Sequence, residues 1–267
     1  MAGSANLNVM IQAARKAARR LVRDFNEVEN LQVSVKGVGD FVSNADRRAE
    51  EIIRDTLMEA RPNYGFLGEE GSKIEGKDPT RRWIVDPLDG TTNFLHGLPH
   101  WAVSIALEHK GEMVAAVVYD PAKDEMFTSE KGEGAWVNDR RLRVSARREP
   151  SQYLFATGTP FGGRPGMGEM MKEFSRILPR TSGIRRWGTA SLDLAYVAMG
   201  RFDGFWERAL HPWDIAAGML LVREAGGLVG RIGETKEGED PLSSGDILAA
   251  NPEAYRFLAR HLEADGS

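Results

Sequence analysis

The chain has 267 residues, 42% of them hydrophobic and 28% charged, with a formal net charge of −4. That is enough chain for one large core or for two halves sharing a cleft. The acidic balance excludes whole-surface attraction to nucleic acid or to an anionic membrane, and leaves a small substrate as the default partner. Cysteine is absent, which removes disulfides, thiolate metal sites and a cysteine nucleophile.

From the N-terminus, Met10, Ala14, Ala17, Leu21 and Phe25 recur at steps of three and four and predict an amphipathic helix over 7–28. Arg15, Lys16, Arg19 and Arg20 stand where a signal peptide would need its apolar region, and no run of roughly 18 apolar residues follows, so a cytoplasmic location is expected and a membrane is not. A second helical pattern starts near Asn44, passes Ala45, Ala49, Ile52, Ile53 and Leu57, and is stopped by Pro62; Asp46 lies near its start. The period then shortens. Trp83-Ile84-Val85, Trp101 to Leu107, Met113 to Tyr119 and Glu125 to Phe127 read as strands, with turns at Lys110-Gly111 and Asp120-Pro121, which is the pattern of an antiparallel meander.

After Ser151 strands and helices alternate. Strands are expected at 153–157, around Ile184, at 202–206 and at 247–250; helices at 169–178, 189–199, 212–225 (ended by Gly226-Gly227) and 252–262. The stretch 162–168 reads as a loop. No repeat or long linker appears, so two α/β halves, 1–150 and 151–267, are expected to pack as one compact unit.

Within this frame, Trp83-Ile84-Val85-Asp86-Pro87-Leu88-Asp89-Gly90-Thr91-Thr92-Asn93-Phe94 puts two carboxylates three residues apart at the end of a strand that should be buried. Pro87 stiffens the turn and removes an amide donor, so that carbonyls such as that of Leu88 can face a cation instead of a ladder partner. Hard oxygen ligands suit Mg2+, whereas His96, His100, His109, His211 and His261 show no zinc-type spacing. Gly90-Thr91-Thr92 can open a helix whose amides and dipole receive a phosphate. Taken alone, Asp86 and Asp89 would more often cap a turn, and Asp214 in His211-Pro212-Trp213-Asp214 would complement a helix dipole. Phe66-Leu67-Gly68-Glu69-Glu70-Gly71 adds a third acidic strand end, and three such sites in one chain favour a shared centre.

These segments, with Trp213-Asp214-Ile215-Ala216-Ala217-Gly218, Gly188-Thr189-Ala190-Ser191-Leu192-Asp193 and Phe202-Asp203-Gly204-Phe205-Trp206-Glu207, resemble the inositol monophosphatases, the bacterial SuhB type in particular, from Lys36 through Asn251. Gly71 departs from the serine more usual there. The resemblance implies alternating helix and sheet layers of the sugar-phosphatase type, with an N-terminal meander half and a C-terminal α/β half. It implies one Mg2+ held by Glu69, Asp86 and the Leu88 carbonyl and a second by Asp86, Asp89 and Asp214, with Glu70 the rival to Glu69. Thr91 and Asp46, together with Glu69, would orient the attacking water. Asp89, Gly90, Thr91, Gly188, Thr189, Ala190, Glu207 and Asp214 would meet the substrate, and the family's lysine matches Lys36. A homodimer and lithium sensitivity are implied as well.

Unaided phosphate monoester hydrolysis is among the slowest reactions known, which calls for charge neutralisation on both sides of phosphorus. Asp86 and Asp89 lack the Asp-x-Asp spacing of an aspartyl-phosphate enzyme, and no Gly-x-x-x-x-Gly-Lys loop occurs, so direct attack by water is expected on a small polyol or sugar phosphate such as inositol 1-phosphate. Fructose 1,6-bisphosphate, 3′-phosphoadenosine 5′-phosphate and histidinol phosphate are the alternatives within the same chemistry. An RNA-synthesis-associated binding role is the alternative of another class. The basic run Arg140, Arg141, Arg143, Arg147 and Arg148 could serve it, although such runs are usually solvated faces.

Overall fold

The computed structural model describes residues 3–27, 33–37, 40–160, 162–233 and 240–262. The side chain of Lys36 lies outside what is described. In the first half, helix α1 (Ala5–Asn26), the hairpin β1 (Val33–Gly37) and β2 (Asp40–Ser43), and α2 (Asn44–Ala60) precede β3 (Gly65–Gly68), β4 (Lys73–Ile74) and β5 (Arg81–Asp89). A short helix α3 (Thr91–Leu95) leads into β6 (Ala102–His109), β7 (Glu112–Asp120), β8 (Glu125–Glu130), β9 (Gly134–Val137) and β10 (Arg140–Arg141). The second half contains β11 (Leu154–Thr157), α4 (Met167–Ile177), β12 (Gly183–Arg185), α5 (Ala190–Ala198), β13 (Gly204–Glu207) and α6 (Pro212–Glu224). It closes with β14 (Leu228–Gly230), α7 (Pro241–Ser244), β15 (Ile247–Ala250) and α8 (Pro252–Leu262).

An eight-stranded sheet of order β10-β9-β8-β7-β6-β5-β3-β4 carries the expected meander from β5 to β10, with β3 added parallel to β5. A five-stranded sheet, β12-β11-β13-β15-β14, pairs β11 in parallel with both β12 and β13 and ends in antiparallel strands. Three apolar layers hold the sheets. Met10, Ala14 and Leu21 of α1 with Ala49 and Ile53 of α2 cover one face of the large sheet at Trp83, Val85 and Val117. Leu194 of α5 and Ile215 and Leu221 of α6 fill the space between Ile84 and Val118 of the large sheet and Phe205 and Ala249 of the small one. Ile177 of α4 and Leu258 of α8 cover the far face at Phe155 and Trp206.

The result is five alternating layers of helix and sheet. Helices α5 and α6, whose residues are apolar nearly all round, are the ones sandwiched between two sheets, as burial on both sides requires. Met167 and Gly168 belong to α4, so the loop expected at 162–168 ends two residues early. Among the described residues no helix is long and apolar enough to cross a membrane.

Candidate active site

The acidic segments meet at the ends of β3 and β5 and at the starts of α3, α5 and α6. Strand β5 runs through Pro87 to Asp89, but its register against β6 slips there: Asp86 faces Ser104 and Asp89 faces Ala102, so β5 carries one extra residue. This is a bulge made where proline cannot donate to the ladder, and it turns the end of β5 away from regular pairing. Asp86 is only 2% exposed, with Oδ1 accepting from the Leu88 amide at 2.9 Å. The Leu88 carbonyl lies 3.0 Å from Thr91 Oγ1, and that hydroxyl is also 3.2 Å from Oδ2 of Asp46, which is buried on the first turn of α2.

The parallel pairing of β3 with β5 places Glu69 and Glu70 differently. Gly68 lies opposite Val85, and the Glu69 amide continues the ladder to the Val85 carbonyl at 3.2 Å, which brings Glu69 level with Asp86. The Glu70 amide instead donates to Oε2 of Glu50 at 2.8 Å, and Ser72 donates to Oε1 of the same carboxylate at 3.1 Å. Buried Glu50 thus holds the turn that presents Glu69. A Cβ at Gly68 would stand 2.2 Å from that carboxylate, so the turn needs glycine there.

Asp89 at the end of β5 and Asp214 of α6 sit where the corner meets the second half. The Ser191 amide at the start of α5 donates to Asp89 Oδ2 at 2.7 Å. Helix α6 is hung over Asp86 by Ser104, the cross-strand partner of Asp86, whose hydroxyl is 3.4 Å from the Trp213 carbonyl. Asp214 sits on the first turn of α6 and accepts the His211 amide at 2.7 Å in a reciprocal cap. The dipole-complement reading of Asp214 is therefore realised, and it coexists with proximity to the other acids.

Crowding by neighbouring acids shows in the pKa values of Asp86, Asp89 and Glu207. Burial, then Glu69, Asp89, Asp214 and Asp46 in turn, push Asp86 well above the ordinary carboxylate range. Burial and Asp214 raise Asp89 to about 7, against the opposing hydrogen bonds of Ser191 and Ala190. Glu207, at the end of β13 against the bare side of Gly158, is raised to about 8 by burial and Asp214, with Arg186 and Arg164 pulling the other way. Among the described residues no three acid or histidine side chains already stand in a coordination cage; Asp86, Asp89 and Asp214 each give an oxygen to a main-chain amide. The donor set nonetheless fits a hard dication, because it is all oxygen and its members repel one another at neutral pH.

The expected hydroxyl-binding segment is partly committed elsewhere. Thr189 is 1% exposed, and its hydroxyl donates to the His100 carbonyl at 3.1 Å. The Ala190 amide is directed at Asp89. Gly90, the left-handed N-cap of α3 at φ +92°, lies so close to Thr189 that a Cβ there would be 2.5 Å from Oγ1.

Sequence reasoning missed Glu50, Asn93, Ser104 and Ser191 as residues that shape this corner. Glu50 had a signal, since Asp46, Glu50, Ile53 and Leu57 step by four and three along one face of α2, which places two acids on its buried side. The basic run divides: Arg147 is anchored on Asp203 at 3.2 Å, Arg141 lies over the Trp136 ring at 5.7 Å, and Arg140, Arg143 and Arg148 are exposed.

The family model of the inositol monophosphatases matches residues 4–267. An inositol-1-monophosphatase of Rhizobium meliloti is 60% identical over 97% of this chain and 96% of its own length. The Escherichia coli protein named Nus factor SuhB is 42% identical over 96% of this chain and 95% of its own length. The crystal structure of the extragenic suppressor protein SuhB from Bartonella henselae superposes with a TM-score of 0.93 at 55% identity, covering 99% of this chain and all of that one.

Proposed function

The chain belongs to the inositol monophosphatase family and is a phosphatase, and we propose that it hydrolyses inositol 1-phosphate or a similar small polyol phosphate with the help of two Mg2+ ions. The observation that carries this reading is the convergence of Glu69 after β3, Asp86 and Asp89 of β5 and Asp214 of α6 on one corner, where the neighbouring acids raise the pKa values of Asp86 and Asp89. Such an arrangement is costly unless cations are bound there.

Glu69, Asp86 and the Leu88 carbonyl would hold one ion, and Asp86, Asp89 and Asp214 the other. Bound Mg2+ supplies an activated water and neutralises charge on the phosphate and the leaving alkoxide. The chain's own groups do the rest. Thr91 and Asp46, within hydrogen-bond reach of each other, orient the attacking water together with Glu69. The Gly90–Thr91 turn receives the phosphate, and Glu207 with the 188–190 backbone faces the hydroxyls of the polyol. Residues 1–150 and 151–267 act as halves of one unit, because Asp89 of the first half is held by an amide of the second. We place the activity in the cytoplasm, in a lithium-sensitive homodimer, as the family resemblance suggests.

Phosphate release from inositol 1-phosphate, fructose 1,6-bisphosphate, 3′-phosphoadenosine 5′-phosphate and histidinol phosphate, with Mg2+ titrated, tests the reading. Turnover should need Mg2+, stop in EDTA and favour inositol 1-phosphate; full turnover in chelator would remove the two-ion scheme. A binding role in RNA synthesis is the second reading, favoured by the name of the Escherichia coli relative and by exposed Arg140, Arg143 and Arg148. Salt-dependent binding to RNA by the isolated protein would support it, and its absence at low salt would count against it.

A further inference from the structure

Asn93 lies in α3, yet its side chain serves other segments. Nδ2 donates to the carbonyl oxygens of His100 at 2.9 Å and of Trp187 at 2.8 Å, and stands 3.3 Å from Thr189 Oγ1. Only the NH2 end of an amide can meet two carbonyls, so its orientation is set by its partners, and both of its hydrogens are used. The His100 carbonyl is shared with the Thr189 hydroxyl at 3.1 Å. Two residues beyond Thr189, the Ser191 amide holds Asp89 at 2.7 Å. The chain therefore runs without a break from the Trp187 carbonyl that Asn93 fixes to the amides that orient Asp89.

An asparagine serving only its own five-residue helix would bond within that helix or its cap. Both bonds here leave it, and one reaches the other half of the chain. We infer that Asn93 is a positioning residue for the reaction. By joining the phosphate turn to the 187–191 segment, it holds Asp89 toward the bound ion and the 188–190 backbone toward the substrate's hydroxyls. The inference rests on the proposed reading of the site for its catalytic consequence, but not for the joint itself.

The test uses the full chain with Asn93→Ala and Asn93→Ser, the second a gentler change that retains a hydroxyl donor should the alanine variant fold poorly. Three readouts are compared with wild type: hydrogen exchange of the 187–191 amides, Mg2+ affinity by calorimetry, and KM and kcat on inositol 1-phosphate and p-nitrophenyl phosphate. Groups that orient metal ligands typically change affinity by about 10- to 100-fold when removed. The expected result for Asn93→Ala is faster exchange at 189–191, Mg2+ affinity weaker by about tenfold, and a KM rise on inositol 1-phosphate larger than that on p-nitrophenyl phosphate; Asn93→Ser should move each in the same direction by less.

A fall in Tm with unchanged exchange, unchanged Mg2+ affinity and an unchanged ratio between substrates would make Asn93 part of the scaffold only and overturn the inference. If wild type itself hydrolysed neither ester with Mg2+, the function proposed above would fail. Exchange at 189–191 would then still decide whether Asn93 makes the joint.

Discussion

Among the buried carboxylates of this protein, Asp203 and Asp86 are built into the fold on opposite plans. Asp203, fully buried, is surrounded by donors: the Ser145 hydroxyl, the Arg147 guanidinium at 3.2 Å, the Leu154 amide at 2.8 Å and Asn251 Nδ2 at 3.4 Å. At the proposed catalytic corner, burial and then the neighbouring Glu69, Asp89, Asp214 and Asp46 drive the pKa of Asp86 up. A buried acid ringed by donors stabilises the fold on its own. Buried acids that face one another are unfavourable until a cation joins them, and their presence marks a site kept for binding.

The sharpest separation of the two plans should come from removing one acid from each. Asp89→Asn and Asp214→Asn take a charge out of the repelling group, so kcat/KM should fall about a hundredfold or more while the Tm of the metal-free protein at pH 8 stays level or rises. Parallel loss of activity and Tm would place these acids with Asp203 as structural. Asp203→Asn is expected to do the reverse. It swaps an acceptor for a donor among donors and strips Arg147 of its partner, for a loss of about 2–4 kcal/mol in urea unfolding, with kcat/KM of the folded fraction within about twofold of wild type.

The contrast also explains what could be read from the chain beforehand. Strands β5 to β8 and the amphipathic helices α1, α2, α4 and α8 follow from periodicity because each is long enough to show its period, whereas α5 and α6, apolar nearly all round, follow from their place between strands and from the Gly226-Gly227 stop. Strands β4, β10 and β14 have two or three residues each and exist through their partners, as β14 does through β15, while the equally short β12 was legible around Ile184. The acids proposed as ligands stand out in the sequence because charges at apolar strand ends are locally anomalous. The residues that aim them do not. Ser104 acts through its cross-strand place opposite Asp86, Ser191 through an amide that any residue could supply, and Asn93 through carbonyls far along the chain. Asp203 lies in the Phe202-to-Glu207 segment, and its role is invisible there because its donors come from Ser145, Arg147, Leu154 and Asn251.

A smaller effect follows from the sign of the pKa shifts. Asp89 is raised to about 7 and Glu207 to about 8, from ordinary values near 4. Groups raised in this way cost nothing below about pH 4, where folded and unfolded chains are both protonated. They destabilise the folded chain progressively as pH climbs from about 4 to the folded values of about 7 and 8, because the unfolded chain releases its protons first, and the cost levels off above them. In chelator, Tm should therefore fall from pH 5 to pH 8, and added Mg2+ should raise Tm more at pH 8 than at pH 5, since ion binding displaces protons from the same carboxylates. An Mg2+ effect independent of pH would mean that the ion binds away from these acids.

The smallest expected effect concerns Glu207, where the two plans meet: it is an acid packed beside the corner, moderated by Arg186 and Arg164. If it accepts hydrogen bonds from the polyol and touches no ion, Glu207→Gln should spare an aromatic ester, which offers no hydroxyls, and should harm inositol 1-phosphate. Below pH 8 the carboxyl is largely neutral, so the exchange of one neutral group for another of the same shape costs about 0.5–1.5 kcal/mol, or roughly three- to tenfold in kcat/KM. Above pH 8 the wild-type group ionises and a charge-assisted bond worth about 1.5–3 kcal/mol is lost, which widens the gap toward a hundredfold. A bound dication would offset the push from Asp214 and move this window to lower pH without changing its direction. The measurement is kcat/KM for inositol 1-phosphate and p-nitrophenyl phosphate on both proteins between pH 6.5 and 9 at fixed saturating Mg2+. A ratio that grows with pH assigns Glu207 to hydroxyl recognition. An equal fall on both esters at every pH would make it part of the machinery that activates water.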